Sequence, residues 1–254
     1  MSRRHALGQH MLIEVAAIEE IVRAARIESE DVVFELGVGT GNLTRLLCEK
    51  AALVVGYETD PALYEHARGR LKSCANLRLI LDDGFSSRRR FDIFVSNPPY
   101  SQSRRLIEWL SVRRLKRGIV TLQQEFAEKI LAPVGSRRYG EVSVLARGRF
   151  IVTPLRRLHR HSFSPPPRIA STIMILEPHR DPVNSRIPLM LKKVFSFRGR
   201  TVAATLKHLA RDQENGSAIM GDSGRSFRSL RVEDLSPEES LRLAASLLQV
   251  QAED

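Results

Sequence analysis

The chain has few of the residues that build disulfide frameworks, metal centres or membrane spans. Its 254 residues include two cysteines, Cys48 and Cys74, which lie far apart and belong to no CxxC or His-x-Cys cluster. Free thiols are therefore expected, as in a reducing compartment, and no metal site is expected. No apolar run approaches the roughly 18 residues that a membrane span requires, so no membrane partner is expected. These absences favour a cytoplasmic globular protein.

Acidic residues are also scarce, and their shortage is local. The chain has 40 Lys and Arg against 29 Asp and Glu, a net charge of +11. Residues 101–160 hold 14 basic and 4 acidic residues, whereas the segment 233–254 holds six acids and one base. Clustered positive charge favours a polyanionic partner, because Lys and Arg that neutralise phosphates release counterions. The composition predicts a nucleic-acid partner, with a merely solvated basic face as the alternative.

Short apolar runs alternate with helical periods through the first two thirds of the chain. The runs typical of buried strands cover residues 31–35, 53–57, 77–81, 91–96 and 118–122. Strands alternating with helices predict an α/β fold with a largely parallel sheet and helices on both faces. Prolines break the pattern near residue 180, and the segment beyond has helical periods only, interrupted by a glycine- and serine-rich loop at 216–224. Ser236 is expected to cap the last helix, which begins at Pro237. We expect an α/β catalytic domain over residues 1–180 and a small, all-helical C-terminal domain over 181–254.

A glycine-rich turn follows the first predicted strand. Gly37, Gly39 and Gly41 alternate with other residues, a G-x-G-x-G spacing that differs from the G-x-G-x-x-G of dinucleotide folds. Glu35 precedes them, and a carboxylate at this point suits a cationic or amino-bearing ligand better than a pyrophosphate. The pattern therefore favours the sulfonium cofactor S-adenosylmethionine over NAD. A tight turn that binds nothing is the alternative.

Carboxylates follow the next two predicted strands. Glu58 comes about 20 residues after the glycine-rich turn, where a carboxylate can accept hydrogen bonds from ribose hydroxyls. Asp60 is expected to cap the helix that begins at Pro61. Asp83, after the following strand, is expected to accept from the adenine amino group of the cofactor. A solvated strand end is the alternative for both Glu58 and Asp83.

The stretch Asn97-Pro98-Pro99-Tyr100 has the groups needed to hold a flat base that carries an amino group. The Asn97 oxygen and a proline carbonyl can accept both N–H bonds of an adenine amine, which frees its lone pair for attack. The fixed φ of Pro98 stiffens the acceptor, and Tyr100 can stack on the base. Phe163, which precedes a stretch with three prolines, can form the opposite wall of the pocket that holds the base. The alternative for Asn97–Tyr100 is an ordinary turn without a chemical role, and the alternative for the stretch at Phe163 is a surface polyproline segment.

Together these motifs resemble the ribosomal RNA adenine N6-dimethyltransferases (the KsgA group, related to the Erm methylases). The resemblance implies a Rossmann-like, S-adenosylmethionine-dependent methyltransferase sheet. It implies that the target adenine is held by Asn97, Pro98, Tyr100 and Phe163. It places cofactor contacts at His10, Leu12, Gly37, Glu58, Asp83 and Asn97. The resemblance covers nearly the whole chain and includes segments 7–12, 35–41, 97–100, 122–127, 139–144 and 163–171.

The resemblance also implies a substrate. Members of this family dimethylate two adjacent adenines in a hairpin loop near the 3′ end of small-subunit rRNA, during assembly of the subunit. We expect this protein to act as a monomer. The basic stretch 101–160 and the helical domain would then hold RNA backbone. An exposed loop as the target suits the way in which proteins read RNA. The alternatives are a large-subunit rRNA methylase of the Erm type, a DNA adenine methylase and a non-catalytic rRNA-binding assembly factor. Pro98 stands where Leu is more usual, a form also common in DNA adenine methylases.

Overall fold

The computed structural model describes residues 10–209 and 228–253. The chain forms two compact units, of which unit 1 comprises Met1–Ala127 and Ile151–His179 and unit 2 comprises Glu128–Phe150 and Arg180–Asp254. This division assigns residues 128–150 to the unit of the C-terminal segment, whereas the sequence prediction assigned them to the first domain. The glycine- and serine-rich loop predicted at 216–224 lies outside the described residues.

The described strands form one large sheet and one small one. They are β1 Met11–Leu12, β2 Val32–Leu36, β3 Leu53–Glu58, β4 Leu77–Leu81, β5 Ile93–Ser96, β6 Arg117–Gln123, β7 Phe150–Leu158, β8 Phe163–Ser164 and β9 Ser171–Pro178. The large sheet has seven strands in the order β4-β3-β2-β5-β6-β9-β7, and β1 pairs separately with β8.

Strand direction decides where a site can form. The pairs β2–β3, β2–β5, β3–β4 and β5–β6 are parallel, whereas β9 runs antiparallel to β6. The predicted parallel sheet is therefore confirmed, with an antiparallel addition at one side. The carboxyl ends of β2, β3, β4 and β5 meet at one edge, which is where ligands bind in open α/β sheets.

Helices cover both faces of this sheet. Unit 1 holds α1 Val15–Ala25, α2 Asn42–Cys48, α3 Pro61–Arg70 and α4 Ser103–Ser111, and α5 Gln124–Ile130 follows β6. Alternate residues of β5 point to opposite faces. Ile93 and Val95 join the core cluster that includes α1 and α2, whereas Phe94 packs near Trp109 of α4. The predicted cap of α3 is confirmed, because the Asp60 carboxylate accepts from the backbone N–H of residues 62 and 63.

Unit 2 is built mainly from helices. They are α6 Glu141–Arg149, α7 Ile187–Phe195, α8 Val202–Leu209 and α9 Pro237–Glu253. Ser236 caps α9 as predicted, since its Oγ accepts from Glu239 N at 3.2 Å while Glu239 Oε2 accepts from Ser236 N at 2.8 Å. The fully buried Tyr139 donates its hydroxyl to the Leu235 carbonyl at 2.8 Å, which ties the residues before α6 to those before α9.

Candidate functional site

The glycine-rich turn connects β2 to α2 at the carboxyl edge of the sheet. Gly37, Gly39 and Gly41 have φ values of +82°, +58° and +79°, a left-handed backbone that side chains with a Cβ rarely adopt. A Cβ placed on Gly37 would meet no atom within 4 Å, whereas one on Gly39 would lie 2.6 Å from the Met11 sulfur. Gly37 therefore borders open space that a ligand can fill, and Gly39 is needed for close packing against β1.

Glu58 ends β3 beside this turn, and its buried carboxylate organises the local backbone. Oε2 accepts from Gly39 N at 2.8 Å, and Oε1 accepts from Thr59 N at 2.8 Å and Asp60 N at 2.9 Å. A carboxylate has about four acceptor positions, so capacity remains for a further donor. The predicted ribose contact of Glu58 stays a prediction, and the structure adds that Glu58 holds the glycine turn in place.

Glu35 is the most perturbed carboxyl group at this edge of the sheet. It is 1% exposed, and its Oε2 has no hydrogen-bond partner. Burial, and to a smaller extent the charge of Glu58, raise the pKa of this carboxyl to about 8. The neighbouring Thr44 hydroxyl lowers the pKa of Glu35, which limits this rise. The Thr44 Oγ1 and the Glu35 Oε2 nevertheless have no hydrogen-bond partner. A buried oxygen without a hydrogen-bond partner is available to the N–H group of an amino-bearing ligand.

Asn97 follows β5 and is oriented by the segment before β1. Its Nδ2 donates to the His10 carbonyl at 2.9 Å. Because a carbonyl only accepts hydrogen bonds, this contact fixes the amide so that Oδ1 faces away from His10. The preceding Ser96 is anchored through its Oγ, which donates to the Leu36 carbonyl at 2.7 Å. The half-buried amide therefore presents its acceptor from a constrained position at the strand end.

His10 and Tyr100 lie side by side next to Asn97. The His10 Nδ1 donates to the Pro165 carbonyl at 2.7 Å, and its ring centroid lies 5.3 Å from that of Tyr100. The Tyr100 hydroxyl forms a 2.7 Å hydrogen bond with Ser171 Oγ at the start of β9. Partial burial raises the pKa of Tyr100, so its hydroxyl stays protonated near neutral pH. The ring of Tyr100 is thus held by the neighbouring His10 ring and by the hydrogen bond of its hydroxyl.

Asp83 has two partners within the chain. Its Oδ1 accepts from Phe85 N at 3.0 Å, and its Oδ2 forms a half-exposed ion pair with Arg105 at 2.9 Å. The Arg105 guanidinium also lies 4.2 Å from the centroid of the Phe85 ring. The predicted adenine contact of Asp83 stays a prediction, and Arg105 is a residue of this region that the sequence interpretation missed.

Leu12 and Phe163 pair across the small sheet formed by β1 and β8. Phe163 is 2% exposed and Leu12 is 7% exposed, and both belong to the core cluster that includes α1. Phe163 therefore offers almost no ring surface in this conformation. Its predicted role as a wall that stacks on the target base stays a prediction, and it requires the side chain to leave the core.

Two neighbouring cavities follow the carboxyl edge of the sheet. A cavity of about 80 Å³ is lined by residues that include His10, Leu12, Glu35, Glu58 and Asn97. A second, of about 180 Å³, is lined by residues that include Asp83, Phe85, Pro98, Gln102 and Arg105. Both are lined by Gly37, Thr59 and Pro99, so they form adjoining parts of one groove. The groove thus brings together every predicted site residue except Tyr100, which lies beside it, and Phe163.

Neither a metal centre nor a membrane-spanning helix is found in residues 10–209 and 228–253. No group of three or more His, Cys, Asp and Glu in these ranges could hold a metal ion. Their helices are too short or too polar to cross a bilayer. Cys48 and Cys74 are free thiols and are half-buried.

A parallel sheet with a glycine turn, acidic strand ends and an oriented asparagine at one edge is the arrangement of a Rossmann-like methyltransferase. Comparison with known families defines it further, since a sequence model of the ribosomal RNA adenine dimethylase family matches residues 1–247. The chain therefore belongs to the ribosomal RNA adenine dimethylase family and is an enzyme of the rRNA adenine dimethyltransferase type. The predicted family and fold are both confirmed.

Relatives and solved structures agree with this assignment. The chain is 34% identical to a probable ribosomal RNA small subunit methyltransferase A of Thermococcus gammatolerans, over 95% of this chain and 88% of the relative. It is 30% identical to the probable ribosomal RNA small subunit methyltransferase A of Methanopyrus kandleri, over 96% of this chain and 92% of the relative. A dimethyladenosine transferase from Plasmodium falciparum superposes with a TM-score of 0.81 at 27% identity, covering 96% of this chain and 98% of that one. The 23S rRNA methyltransferase ErmE superposes with a TM-score of 0.66 at 25% identity, covering 94% of this chain and 100% of that one.

Proposed function

We propose that this enzyme uses S-adenosylmethionine to dimethylate N6 of two adjacent adenines in a hairpin loop near the 3′ end of small-subunit rRNA. In this proposal it acts as a monomer in the cytoplasm on an assembling small subunit. Support for the subunit comes from relatives named small subunit methyltransferases that align over more than nine tenths of this chain. Support for the chemistry comes from the orientation of Asn97.

The orientation of Asn97 suits an adenine amine. The His10 carbonyl binds the Asn97 Nδ2, which leaves Oδ1 as the group available to an N–H donor from the substrate. The lone pair of an adenine amine is delocalised into the ring, so the amine is a weak nucleophile. Acceptance of its two N–H bonds by Asn97 Oδ1 and the Pro98 carbonyl would draw the nitrogen towards a tetrahedral geometry. Catalysis would then consist of orientation and hydrogen bonding.

Stacking would hold the base in this position. Tyr100 is fixed by His10 and by Ser171, so little side-chain entropy is lost when a base stacks on it. No strong general base is required, because the methylated ammonium that results from attack is acidic enough to lose its proton to water. The raised pKa of Tyr100 agrees with a role for its ring rather than for a phenolate.

The groove offers an open backbone position and acceptor groups that suit the proposed cofactor. S-adenosylmethionine supplies an electrophilic methyl group when bound. Gly37 opens onto free space, and the buried Glu35 oxygen without a donor could accept a hydrogen bond from an amino group of the ligand. Glu58 and Asp83 would contact the ribose and the adenine, and Leu12 and His10 would close the groove from β1.

A large-subunit substrate is the second candidate. It is favoured by the similarity to ErmE, a protein named as a 23S rRNA methyltransferase. A non-catalytic assembly factor is less consistent with this chain, since a binder needs neither the open Gly37 nor the oriented Asn97. The oriented asparagine itself does not distinguish RNA from DNA.

A substrate-partition assay tests the proposed function. The protein is incubated with radiolabelled S-adenosylmethionine and with under-methylated small subunits, large subunits or DNA, and the label in each is counted. We expect label in small-subunit rRNA alone. Label confined to large subunits or to DNA would contradict the proposal, and rRNA binding without any label would support the assembly factor.

A further inference from the structure

Another cavity, separate from the groove, lies at the opposite edge of the sheet in unit 1 and is rich in arginine. It has a volume of about 720 Å³ and is formed by the loop before β5 and the loop between α4 and β6. Its cationic lining residues are Arg88, Arg89, Arg90, Arg113, Arg114 and Lys116. Asp92 is its one acidic lining residue, and that carboxylate already accepts from Val32 N at 3.0 Å. We refer to this cavity as the arginine pocket.

The three consecutive arginines of the arginine pocket differ from its lysine in how their charge is compensated. Arg88, Arg89 and Arg90 are exposed, and within the described parts of the chain they have no carboxylate partner. Lys116 differs, because it is bound by Asp31 at 2.6 Å and by Glu28 at 3.4 Å. Burial and the nearby Arg88 charge lower the pKa of Arg113, as expected where like charges converge. The fold thus holds several arginines together against their mutual repulsion.

The arginine pocket is also held in shape. The Arg113 side chain donates to the Ser87 carbonyl, and its guanidinium lies 4.6 Å from the centroid of the Trp109 ring. Arg89 N donates to Ser87 Oγ at 3.2 Å, and Lys116 N donates to the Asp92 carbonyl at 2.7 Å. The bonds of Arg113 and Lys116 connect the two loops, and the Arg89 bond braces one of them. The guanidinium groups therefore converge on a preformed concave surface rather than on independent loop tips.

We propose that the arginine pocket binds the phosphodiester backbone of rRNA at a segment other than the adenines that are methylated. Guanidinium groups bind phosphate oxygens through two parallel hydrogen bonds, which suits this chemistry. A strand rises about 3.3 Å per residue, so the backbone of Asp92 lies roughly 16 Å from that of Asn97. One flipped nucleotide does not span both sites. The pocket therefore anchors a second stretch of RNA, and this inference rests on the proposed function.

The test compares two charge-matched triple variants. One replaces Arg88, Arg89 and Arg90 with Gln, and the control replaces the exposed Lys50, Lys72 and Arg78 of the same unit with Gln. Binding to under-methylated small subunits is measured over a range of salt concentrations. The pocket variant should bind at least about tenfold more weakly, and the slope of log K against log salt should become shallower by about one for each phosphate that the variant no longer neutralises. The control should change by less than about threefold, since an exposed charge away from the bound RNA acts only at long range.

Two further measurements separate the possible explanations. Affinity for S-adenosylmethionine should be unchanged in the pocket variant, because the groove is at the other edge of the sheet. Arg88, Arg89 and Arg90 replaced with Lys should restore most of the binding, which a loss of folding would not allow. Equal RNA affinities of the Gln pocket variant and the control would overturn the inference.

The same experiment distinguishes failure of the pocket from failure of the proposed function. If the wild-type protein neither binds nor methylates small subunits, the proposed function fails. If it does both and the pocket variant matches the control, only the pocket inference fails. Inorganic pyrophosphate serves as a small-anion probe. If the Gln substitutions abolish pyrophosphate binding but leave RNA affinity unchanged, the arginine pocket is a small-anion site and the RNA inference is overturned.

Discussion

Glu35 makes the stability of the fold depend on pH. Burial raises the pKa of its carboxyl from 4.5 to about 8, so the unfolded chain loses this proton at lower pH than the folded chain does. The contribution of this group to stability is complete below pH 4.5 and is lost as the pH rises through about 8. Glu35→Gln cannot ionise. The fall in unfolding free energy across this pH range should therefore be smaller in the variant than in wild type, as measured by urea denaturation.

The exposed Glu30 provides the control for this measurement. Glu30→Gln removes an acid from the same region of sequence without removing a buried group, so its pH profile should parallel that of wild type. A profile of Glu35→Gln that is as steep as the wild-type profile would show that Glu35 is ionised in the folded protein.

Asp83 is expected to bind cofactor through its carboxylate. In Asp83→Asn, Oδ1 can still accept from Phe85 N, but an amide nitrogen replaces the second acceptor. A hydrogen bond that involves a charged group contributes about 1.5–3 kcal/mol, so KM for S-adenosylmethionine should rise by roughly 10- to 100-fold. The kcat at saturating cofactor should change little, since Asp83 is not expected to contact the reacting atoms. Steady-state kinetics gives both values.

Arg105→Ala separates this role from the ion pair that Asp83 already makes. The pair is half-exposed, and such pairs contribute about 0–1 kcal/mol. Its removal alone should change KM by less than about fivefold. Equal effects of the two substitutions would mean that the ion pair, and not a cofactor contact, explains the importance of Asp83.

At the scale of elements, α6 and α9 pack closely within unit 2. A Cβ on Gly148 would lie 2.5 Å from Leu241 Cδ1, whereas one on Gly69 in α3 would meet nothing within 4 Å. Both glycines are helical, so Ala gains roughly 0.5–1 kcal/mol of helix propensity at either position. Overpacking costs about 1–3 kcal/mol, so Gly148→Ala should be less stable than Gly69→Ala by about that amount. Chemical denaturation measures the difference, and equal stabilities would show that the helices are not in close contact.

The elements that the sequence predicted well have a clear period or a clear cap. The strand 77–81 has the predicted bounds, and Asp60 and Ser236 cap their helices as expected. The helix α6 was not predicted, because seven of its nine residues are buried and it lacks the polar face that produces an amphipathic period. The pair β1–β8 was also missed, since each strand has two residues and its partner is about 150 residues away in sequence.

At the scale of the molecule, the groove could be predicted from the sequence because its polar residues follow parallel strands that all end at the same edge of the sheet. Parallel pairing brings such groups together whatever the details of side-chain packing. Contacts between distant side chains were not predictable in this way. The core position of Phe163 and the Arg105–Asp83 pair depend on how loops and helices pack, as does the hydrogen bond from Asn97 to His10. The basic stretch was visible in composition, but its convergence with Arg88–Arg90 required the fold.

The central claim is that Asn97 activates the amine of an rRNA adenine in the small subunit. Its most direct test is mass spectrometry of small-subunit rRNA after incubation with S-adenosylmethionine and either wild type or Asn97→Ala. Wild type should produce two adjacent N6,N6-dimethyladenosines. Asn97→Ala should produce none, although it still binds the subunit. Dimethyladenosine formed by the variant at the wild-type level would contradict the account.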